Sequence, residues 1–296
     1  MSATEDRLRI AVQKSGRLSE RSLELMREAG LRVMKGANDL LYRVENYPID
    51  LLRVRDDDIP TFVADGVCDL GIIGLNVLEE HAARRNGSRP EVVMPLGFGR
   101  CALKIAVPGE AGWPGPQALA GRRIATSYPG VLQAWLRDQA VEAEVVELHG
   151  AVEVAPRLKV AHAICDLVST GATLEANGLK PVATVLESEA VLVRAPGGVP
   201  QQHAHLADIL TDRLRGVVAS QGTKYIMLNA PRSSLDEITR LLPGAGSPTI
   251  TPLAGKEDAV AVHAVCQENV FWETLEGLKG AGASAILVLP IEKMMM

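Results

Sequence analysis

Short apolar runs alternate with amphipathic segments of helical period through the first part of this chain. Runs at 8–12, 49–54 and 70–73 have the length and composition of buried strands, and a helical pattern follows each of them. Strands that alternate with helices at this spacing form a parallel, doubly wound sheet. The pattern therefore predicts an α/β fold.

A second group of strand-like runs begins near residue 101 and predicts another lobe. Segment 108–116 is so rich in Gly and Pro that it must be a loop. The other elements expected in this lobe are strands at 102–107, 123–126, 145–148 and 164–168, and helices near 130–140 and 152–160. Two α/β lobes with a cleft between them are the arrangement that these elements favour.

The last 70 or so residues have a different pattern, which follows a long helix expected at about 201–220. Ser234 and Glu237 have the spacing of a capping box before an apolar helical segment. The expected strands are 224–229, 249–253, 259–266 and 285–289. The resulting order, βαββαβ, predicts a ferredoxin-like sandwich.

Composition limits the classes of function. The 296 residues are 47% hydrophobic, which is enough for about two domains with cores of their own. A formal net charge of -5 disfavours general binding to nucleic acid or to a membrane surface. No apolar run approaches about 18 residues, and the N-terminus is polar, so we expect a cytoplasmic protein.

The cysteines and histidines predict no metal centre. The histidines His203 and His205 are two positions apart on a helix, so their side chains diverge, and we expect both to be exposed to solvent. The cysteines are far apart and form no Cys-x-x-Cys pair, which predicts buried, reduced thiols: Cys68, Cys101, Cys165 and Cys266.

The apolar run 164–168 ends abruptly at a cluster of hydroxyl residues and a glycine. Ser169, Thr170 and Thr173 surround Gly171, and a short helical segment follows. A strand, a tight turn and a helix start in this order form an anion site, because backbone N–H groups and hydroxyls converge there. Asp166 lies at the strand end, where it can accept sugar hydroxyls or help hold a metal. The alternative is an ordinary capped turn.

Together with Glu153, thirteen residues before Asp166, this segment resembles the signature of the ATP phosphoribosyltransferases, which catalyse the first step of histidine biosynthesis. The resemblance is closest to the long form of the family. One position departs from the pattern, since Lys159 stands where a glycine is expected. Further blocks that resemble the family are 13–18, 53–60, 69–74, 125–129, 247–249 and 286–294.

The resemblance implies a bilobal, periplasmic-binding-protein-like catalytic part and an ACT-type regulatory domain. Lobe I is expected to comprise 1–100, with the chain returning to it at about 185–220. Lobe II is expected at 101–184, and the regulatory domain at 224–296. The family also implies a homo-oligomer, a dimer or a hexamer built from dimers.

The reaction implied is transfer of a phosphoribosyl group from phosphoribosyl pyrophosphate to N1 of ATP, with Mg²⁺ as cofactor and no nucleophilic side chain. The residues expected to bind phosphoribosyl pyrophosphate are Asp166, Ser169, Thr170, Gly171, Ala172, Thr173 and Leu174. Those expected at the nucleotide or pyrophosphate are Lys14, Gly16, Arg17, Arg53, Asp69, Leu70, Gly71, Thr126, Ser127 and Glu153. For several of these residues the alternative to ligand binding is a structural role, as a solvated charge, a turn residue or a helix cap.

Histidine is the feedback inhibitor that the resemblance implies, bound where regulatory domains of neighbouring subunits meet. The candidates are Asn229, Thr249, Val265 and Ala285, with ordinary strand ends as the alternative.

Two other functions fit the predicted fold. A non-catalytic sensor would use two lobes to close on a small molecule. An amino-acid-pathway dehydratase with an ACT tail would need a general acid or base near the cleft, and the sequence offers no clear one. A hydroxyl-rich phosphate loop and a basic first turn favour the transferase over both.

Overall fold

The runs that the sequence marks as buried strands form the core of the first sheet. The computed structural model describes residues 7–36, 39–85, 89–242 and 247–295. Strands of this sheet are β1 (Leu8–Gln13), β2 (Val33–Met34), β3 (Leu41–Val44), β4 (Ile49–Val54), β5 (Leu70–Gly74), β6 (Glu91–Pro95) and β12 (Ala190–Arg194). They pair in the order β2-β3-β4-β1-β5-β12-β6.

The parallel strands β4, β1 and β5 define one edge of the lobe I sheet by their carboxyl ends. Ile10 pairs with Leu51 on one side and with Leu70 on the other, so the three strands run together and end at the same edge. Helices α1 (Ser19–Glu28), α2 (Ile59–Ala64) and α3 (Leu75–Arg84) belong to this lobe.

Lobe II has its own sheet, in the order β11-β7-β10-β8-β9. Its strands are β7 (Cys101–Pro108), β8 (Arg123–Thr126), β9 (Glu144–Glu147), β10 (Ala163–Val168) and β11 (Leu179–Ser188), and its helices are α4 (Pro129–Asp138) and α5 (Ala172–Ala176). The chain passes between the sheets twice, from β6 to β7 and from β11 to β12. The bilobal α/β architecture is confirmed.

The helix expected at 152–160 is absent, and this prediction is wrong. Only a 3₁₀ turn, Val152–Val154, forms there. Pro156 would fall inside the helix, where it has no N–H to donate. Lys159 has a left-handed backbone with φ of 57°. The short strands β2, β3 and β6 were not predicted from the sequence.

The unit Thr211–Met296 contains a four-stranded antiparallel sheet. Its elements are β13 (Thr223–Pro231), α7 (Leu235–Leu241), β14 (Thr249–Leu253), β15 (Lys256–Gln267), α8 (Glu268–Gly280) and β16 (Ser284–Pro290), and the preceding helix α6 spans Gln201–Ser220. The strand order β14-β15-β13-β16 confirms the ferredoxin-like prediction. Ser234 is the N-cap of α7, but its side chain makes no cap hydrogen bond, so the predicted capping box is wrong.

The four cysteines are buried and free, as predicted. Burial raises the pKa of the Cys68 thiol to about 12, so this thiol is un-ionised at neutral pH. None of the helices in the described part of the chain is long and apolar enough to span a bilayer.

Candidate active site

The carboxyl ends of the two sheets bring a basic loop and a hydroxyl-rich loop together. Arg17 lies in the loop after β1 of lobe I, and Ser169 follows β10 of lobe II. The Arg17 guanidinium donates to Oγ of Ser169 at 3.2 Å and contacts Sγ of Cys101 at 3.2 Å. The cation predicted for pyrophosphate and the loop predicted for phosphate therefore lie side by side.

The buried side chain of Gln13 shapes the basic loop. Its Oε1 accepts from the Leu18 N–H at 2.9 Å, and its Nε2 donates to Asp56 at 3.1 Å. Gly16 has φ of 113°, and a Cβ at this position would lie 2.7 Å from Nε2 of Gln13. Gly16 is therefore required by the loop backbone, and Gln13 is a positioning residue that the sequence reading missed.

Arg53 supports the basic loop from within the structure. One guanidinium nitrogen donates to the Lys14 carbonyl at 2.5 Å, and another donates to Oη of Tyr42 at 2.6 Å. The guanidinium also lies 4.7 Å from the centre of the Tyr42 ring, and only 12% of the side chain is exposed. These contacts assign Arg53 to holding Lys14 in place, whereas the Lys14 side chain itself is exposed.

The hydroxyl-rich loop has the backbone expected of an anion site. Gly171 adopts φ of 86°, while the side chains of Ser169, Thr170 and Thr173 are exposed. The first backbone bond of α5 runs from the Glu175 N–H to the Gly171 carbonyl, at 3.1 Å. The N–H groups before Glu175 in this turn lack intrahelical acceptors. Leu174 is buried in the lobe II core and anchors the loop, and Ala172 is exposed.

Asp166 and Glu153 form an acidic pair beside this loop. Burial raises the pKa of the Asp166 carboxyl, the Leu167 N–H at 2.8 Å lowers it, and the nearby Glu153 carboxylate raises it further. Two carboxylates that repel each other suit a cation, and Mg²⁺ is commonly bound by one or two carboxylates together with substrate phosphates. Within the described residues, no cluster of three or more potential metal ligands occurs.

A cavity of about 440 Å³ is lined by residues of α3, by the segment just before α4 and by the end of β9. Burial, followed by Asp56, Asp166 and Asp57, raises the pKa of Tyr128 to about 12 despite a hydrogen bond from Asn76. Tyr128 therefore stays protonated at neutral pH. Other residues lining the cavity, which the sequence reading did not select, are Asp56, Asp57, Glu80, His81, Arg84 and His149.

The hydroxyls of Thr126 and Ser127 are engaged in the structure. Thr126 is fully buried, and its Oγ1 accepts from the Tyr128 N–H at 2.9 Å. Ser127 donates to the Leu148 carbonyl at 2.7 Å. Thr126 therefore orients Tyr128 and has no exposed surface for a ligand.

Asp69, Leu70 and Gly71 lie at the amino end of β5, opposite the edge that carries Arg17. Asp69 accepts from the Arg9 N–H at 2.8 Å and pairs with His203 at 3.1 Å. Leu70 and Gly71 are buried. His203 is only 9% exposed, so the prediction of an exposed His203 is wrong: its partner, Asp69, is distant in sequence. His205 is exposed as expected.

The candidate effector residues are spread over the C-terminal sheet. Asn229 pairs with Ser284, next to Ala285, whose φ is 48°. Thr249 lies on β14, at the opposite edge of the sheet, and pairs with His263. Val265 pairs with Tyr225 further along β15. Asn229 lines a cavity of about 570 Å³ together with Lys256, Asp258 and Ser284.

Comparisons with known proteins agree with this architecture. The ATP phosphoribosyltransferase family model matches residues 55–216, and the model of the HisG C-terminal domain matches 220–293. An ATP phosphoribosyltransferase of Maricaulis maris (strain MCS10) is 56% identical over 290 residues, which cover 98% of this chain and 99% of the relative.

Among solved structures, the ATP phosphoribosyl transferase (HisG:HisZ) complex from Thermotoga maritima matches with a TM-score of 0.59 and 25% identity. The match covers 70% of this chain and 98% of that chain. The chain belongs to the ATP phosphoribosyltransferase family, in the long form that includes a C-terminal domain.

Proposed function

We propose that this protein transfers the 5-phosphoribosyl group of phosphoribosyl pyrophosphate to N1 of ATP, as the first step of L-histidine biosynthesis. The contact between Arg17 and Ser169 is the observation that carries the proposal. It joins a cation to a phosphate-type loop where the carboxyl ends of both sheets meet. A sensor for a neutral metabolite would not need this arrangement.

Binding of the sugar phosphate falls to lobe II. The 5-phosphate accepts hydrogen bonds from the N–H groups and hydroxyls of the loop 169–173, and Gly171 permits its close approach. Asp166, at the end of β10, accepts hydrogen bonds from the ribose hydroxyls. These contacts hold the anomeric carbon at the cleft, where the adenine can reach it.

Departure of pyrophosphate is the step that needs positive charge. The bond from the anomeric carbon to the pyrophosphate oxygen breaks with its electron pair as N1 of the adenine forms the new bond. Lys14 and Arg17 stabilise the charge that develops on pyrophosphate. Mg²⁺, when bound with the pyrophosphate, supplies further charge neutralisation, and Asp166 and Glu153 are the carboxylates placed to approach it. No protein nucleophile is required.

An absorbance assay for N1-ribosylated ATP tests the activity, with purified protein, ATP, phosphoribosyl pyrophosphate and Mg²⁺, and with pyrophosphate removed as it forms. We expect product from the unmodified chain and a sharp loss of phosphoribosyl pyrophosphate use in Thr170→Ala/Thr173→Ala. Thr251→Ala, an exposed threonine of β14, is the control. Folded protein that forms no product would favour the sensor, and unchanged kinetics in the double variant would remove the loop assignment.

Feedback inhibition by histidine is the second part of the proposal. The cavity beside Asn229 supports it, because Lys256 and Asp258 offer opposite charges to the carboxylate and ammonium groups of an amino acid. Asn229→Ala is expected to weaken histidine inhibition about tenfold with little change in the uninhibited rate. Equal inhibition of both proteins would place the effector elsewhere.

Self-association of the C-terminal unit also belongs to the proposal. β16 is an edge strand of its sheet, and Leu287, Val288 and Leu289 on it are exposed. An exposed, apolar edge is a ready surface for pairing with another chain. We expect a dimer or a hexamer in sedimentation experiments, and a smaller species for Leu287→Lys/Leu289→Lys. A monomer in the unmodified protein would contradict this expectation.

A further inference from the structure

A third cavity, of about 600 Å³, lies in lobe II outside the catalytic cleft. Ala163 lines it at the amino end of β10, whereas the phosphate loop follows Val168 at the other end of the same strand. These ends are about 17 Å apart at about 3.3 Å per residue. The cavity is therefore separate from the site proposed for the sugar phosphate.

The charged groups lining this cavity are all basic. Arg122 and Lys159 line it, and neither side chain has an ion pair or a hydrogen bond within the described residues. In the part of the chain that the structure describes, no carboxylate lines the cavity. His162 accepts from the Arg123 N–H through Nδ1 at 3.1 Å, so the proton of the neutral ring is on Nε2, which remains available as a donor. The cavity therefore attracts an anion.

The rest of the lining is largely apolar. Leu119, Ala161 and Ala163 are buried, and Trp113 is half-buried against the hydrophobic core of lobe II. A volume of about 600 Å³ lies within the range of about 300–1,000 Å³ that is usual for small-molecule sites. Apolar walls with a few basic groups match a ligand that has an apolar body and an acidic head.

Lys159, which lines the cavity, has a strained backbone conformation. Its φ of 57° is in the left-handed region, which is costly for a side chain larger than glycine. Such strain persists only where the surrounding structure holds it, and strained residues cluster at active sites and ligand-binding sites. We infer that this cavity is a binding site for a small organic anion, a carboxylate or phosphate attached to an aromatic or other apolar body.

Ligand-observed ¹⁹F NMR with 3-[4-(trifluoromethyl)phenyl]propionate tests this site on the full-length protein, without ATP or phosphoribosyl pyrophosphate. We expect saturable binding with a Kd on the order of millimolar, since the probe is small. Arg122→Gln and Lys159→Gly should each weaken binding about tenfold. Arg137→Gln, which removes an exposed cation of α4 in the same lobe, should leave binding unchanged.

The neutral amide of the probe tests whether the site requires a negative charge, and inorganic phosphate tests whether it requires an apolar body. The amide should bind about tenfold more weakly than the carboxylate, whereas inorganic phosphate alone should not displace the carboxylate at equal concentration. Circular dichroism confirms that each variant is folded. No saturable binding, or equal binding by Lys159→Gly, Arg122→Gln and the unmodified protein, would overturn the inference. Because no turnover is measured, either result stands independently of the proposed transferase activity.

Discussion

The guanidinium of Arg17 donates a hydrogen bond to Oγ of Ser169 at 3.2 Å, although 152 residues separate them in sequence. Arg17 follows the first strand of lobe I, and Ser169 follows the strand β10 of lobe II. Parallel strands present their carboxyl ends at one edge, where α/β proteins bind ligands. A polyanion in this cleft therefore meets a cation from one lobe and hydroxyl and N–H donors from the other.

Replacing Arg17 tests this convergence. Arg17→Gln keeps a polar side chain but removes the charge, and a hydrogen bond to a charged group contributes about 1.5–3 kcal/mol. We expect kcat/KM for phosphoribosyl pyrophosphate to fall by about 10- to 100-fold. Initial rates at varied substrate concentration measure the effect. Arg27→Gln, on the exposed face of α1, is the control, and equal rates in both variants would contradict the assignment.

The Asp166 carboxylate should lower the stability of the folded protein while being needed for activity. Burial and the Glu153 carboxylate raise the pKa of Asp166, so ionisation of this group disfavours the folded state. Asp166→Asn should therefore raise the Tm of the ligand-free protein at neutral pH while lowering kcat/KM at least about tenfold. Because the pKa of Asp166 is raised in the folded state, its contribution to the free energy of unfolding is fully present below the unfolded-state pKa. That contribution is lost as the pH rises through the folded-state pKa.

The pH dependence of the Asp166→Asn comparison gives a separate check. The stability advantage of the variant should narrow as the pH falls through the raised pKa of Asp166, because the carboxyl of the unmodified protein then becomes neutral. Thermal unfolding of both proteins between pH 4 and pH 8 measures the difference. A variant less stable than the unmodified protein at pH 7 would show that the Asp166 carboxylate has a stabilising partner.

The sequence was sufficient to predict the elements whose signals are local. Strand β10, the turn at Gly171 and the start of α5 follow one another within a few residues, so an apolar run, a glycine and hydroxyls predict them together. The ferredoxin-like order was predictable for the same reason, since each of its strands is a separate apolar run. Helix 152–160 failed because Pro156 outweighs an otherwise helical pattern.

Residues that depend on contacts between distant segments could not be found in this way. Asp69 precedes a strand, and only the pairing of β5 with β1 shows that it lies at the edge away from Arg17. Thr126 resembles its hydroxyl-bearing neighbours Ser127 and Tyr128 in the sequence, yet it is fully buried and its Oγ1 accepts from the Tyr128 N–H. Gln13 shapes the basic loop through bonds to Leu18 and Asp56, and nothing in its local pattern predicts this.

Glu80 links the two lobes and should be important for stability. It lies on α3 of lobe I, and its two carboxylate oxygens accept from the N–H groups of Gly130 at 3.0 Å and Val131 at 2.9 Å, in the first turn of α4. A carboxylate at a helix N-terminus is favourable. Glu80→Gln should lower the free energy of unfolding by about 1.5–3 kcal/mol.

Urea denaturation followed by tryptophan fluorescence measures the effect of Glu80→Gln. Glu79→Gln is the matched control on the same helix, because Glu79 pairs with Arg89 nearer the surface. Its effect should stay within about 1 kcal/mol. Equal losses in the two variants would mean that the bonds to α4 add nothing to those of an ordinary ion pair.

Lys159→Gly should stabilise the protein, which is unusual for a glycine substitution. Relief of a left-handed backbone gains about 1–2 kcal/mol, and the greater freedom of glycine in the unfolded chain costs about 0.4–1 kcal/mol. The net gain is therefore about 0–1.5 kcal/mol. Lys159→Ala retains the strained φ and removes the same charge, so it should show no gain. Urea unfolding of the three proteins separates the effect of backbone strain from the effect of charge. A stabilisation shared by both variants would assign the effect to the lost cation. A loss of stability in Lys159→Gly would show that the Lys159 side chain stabilises the folded state.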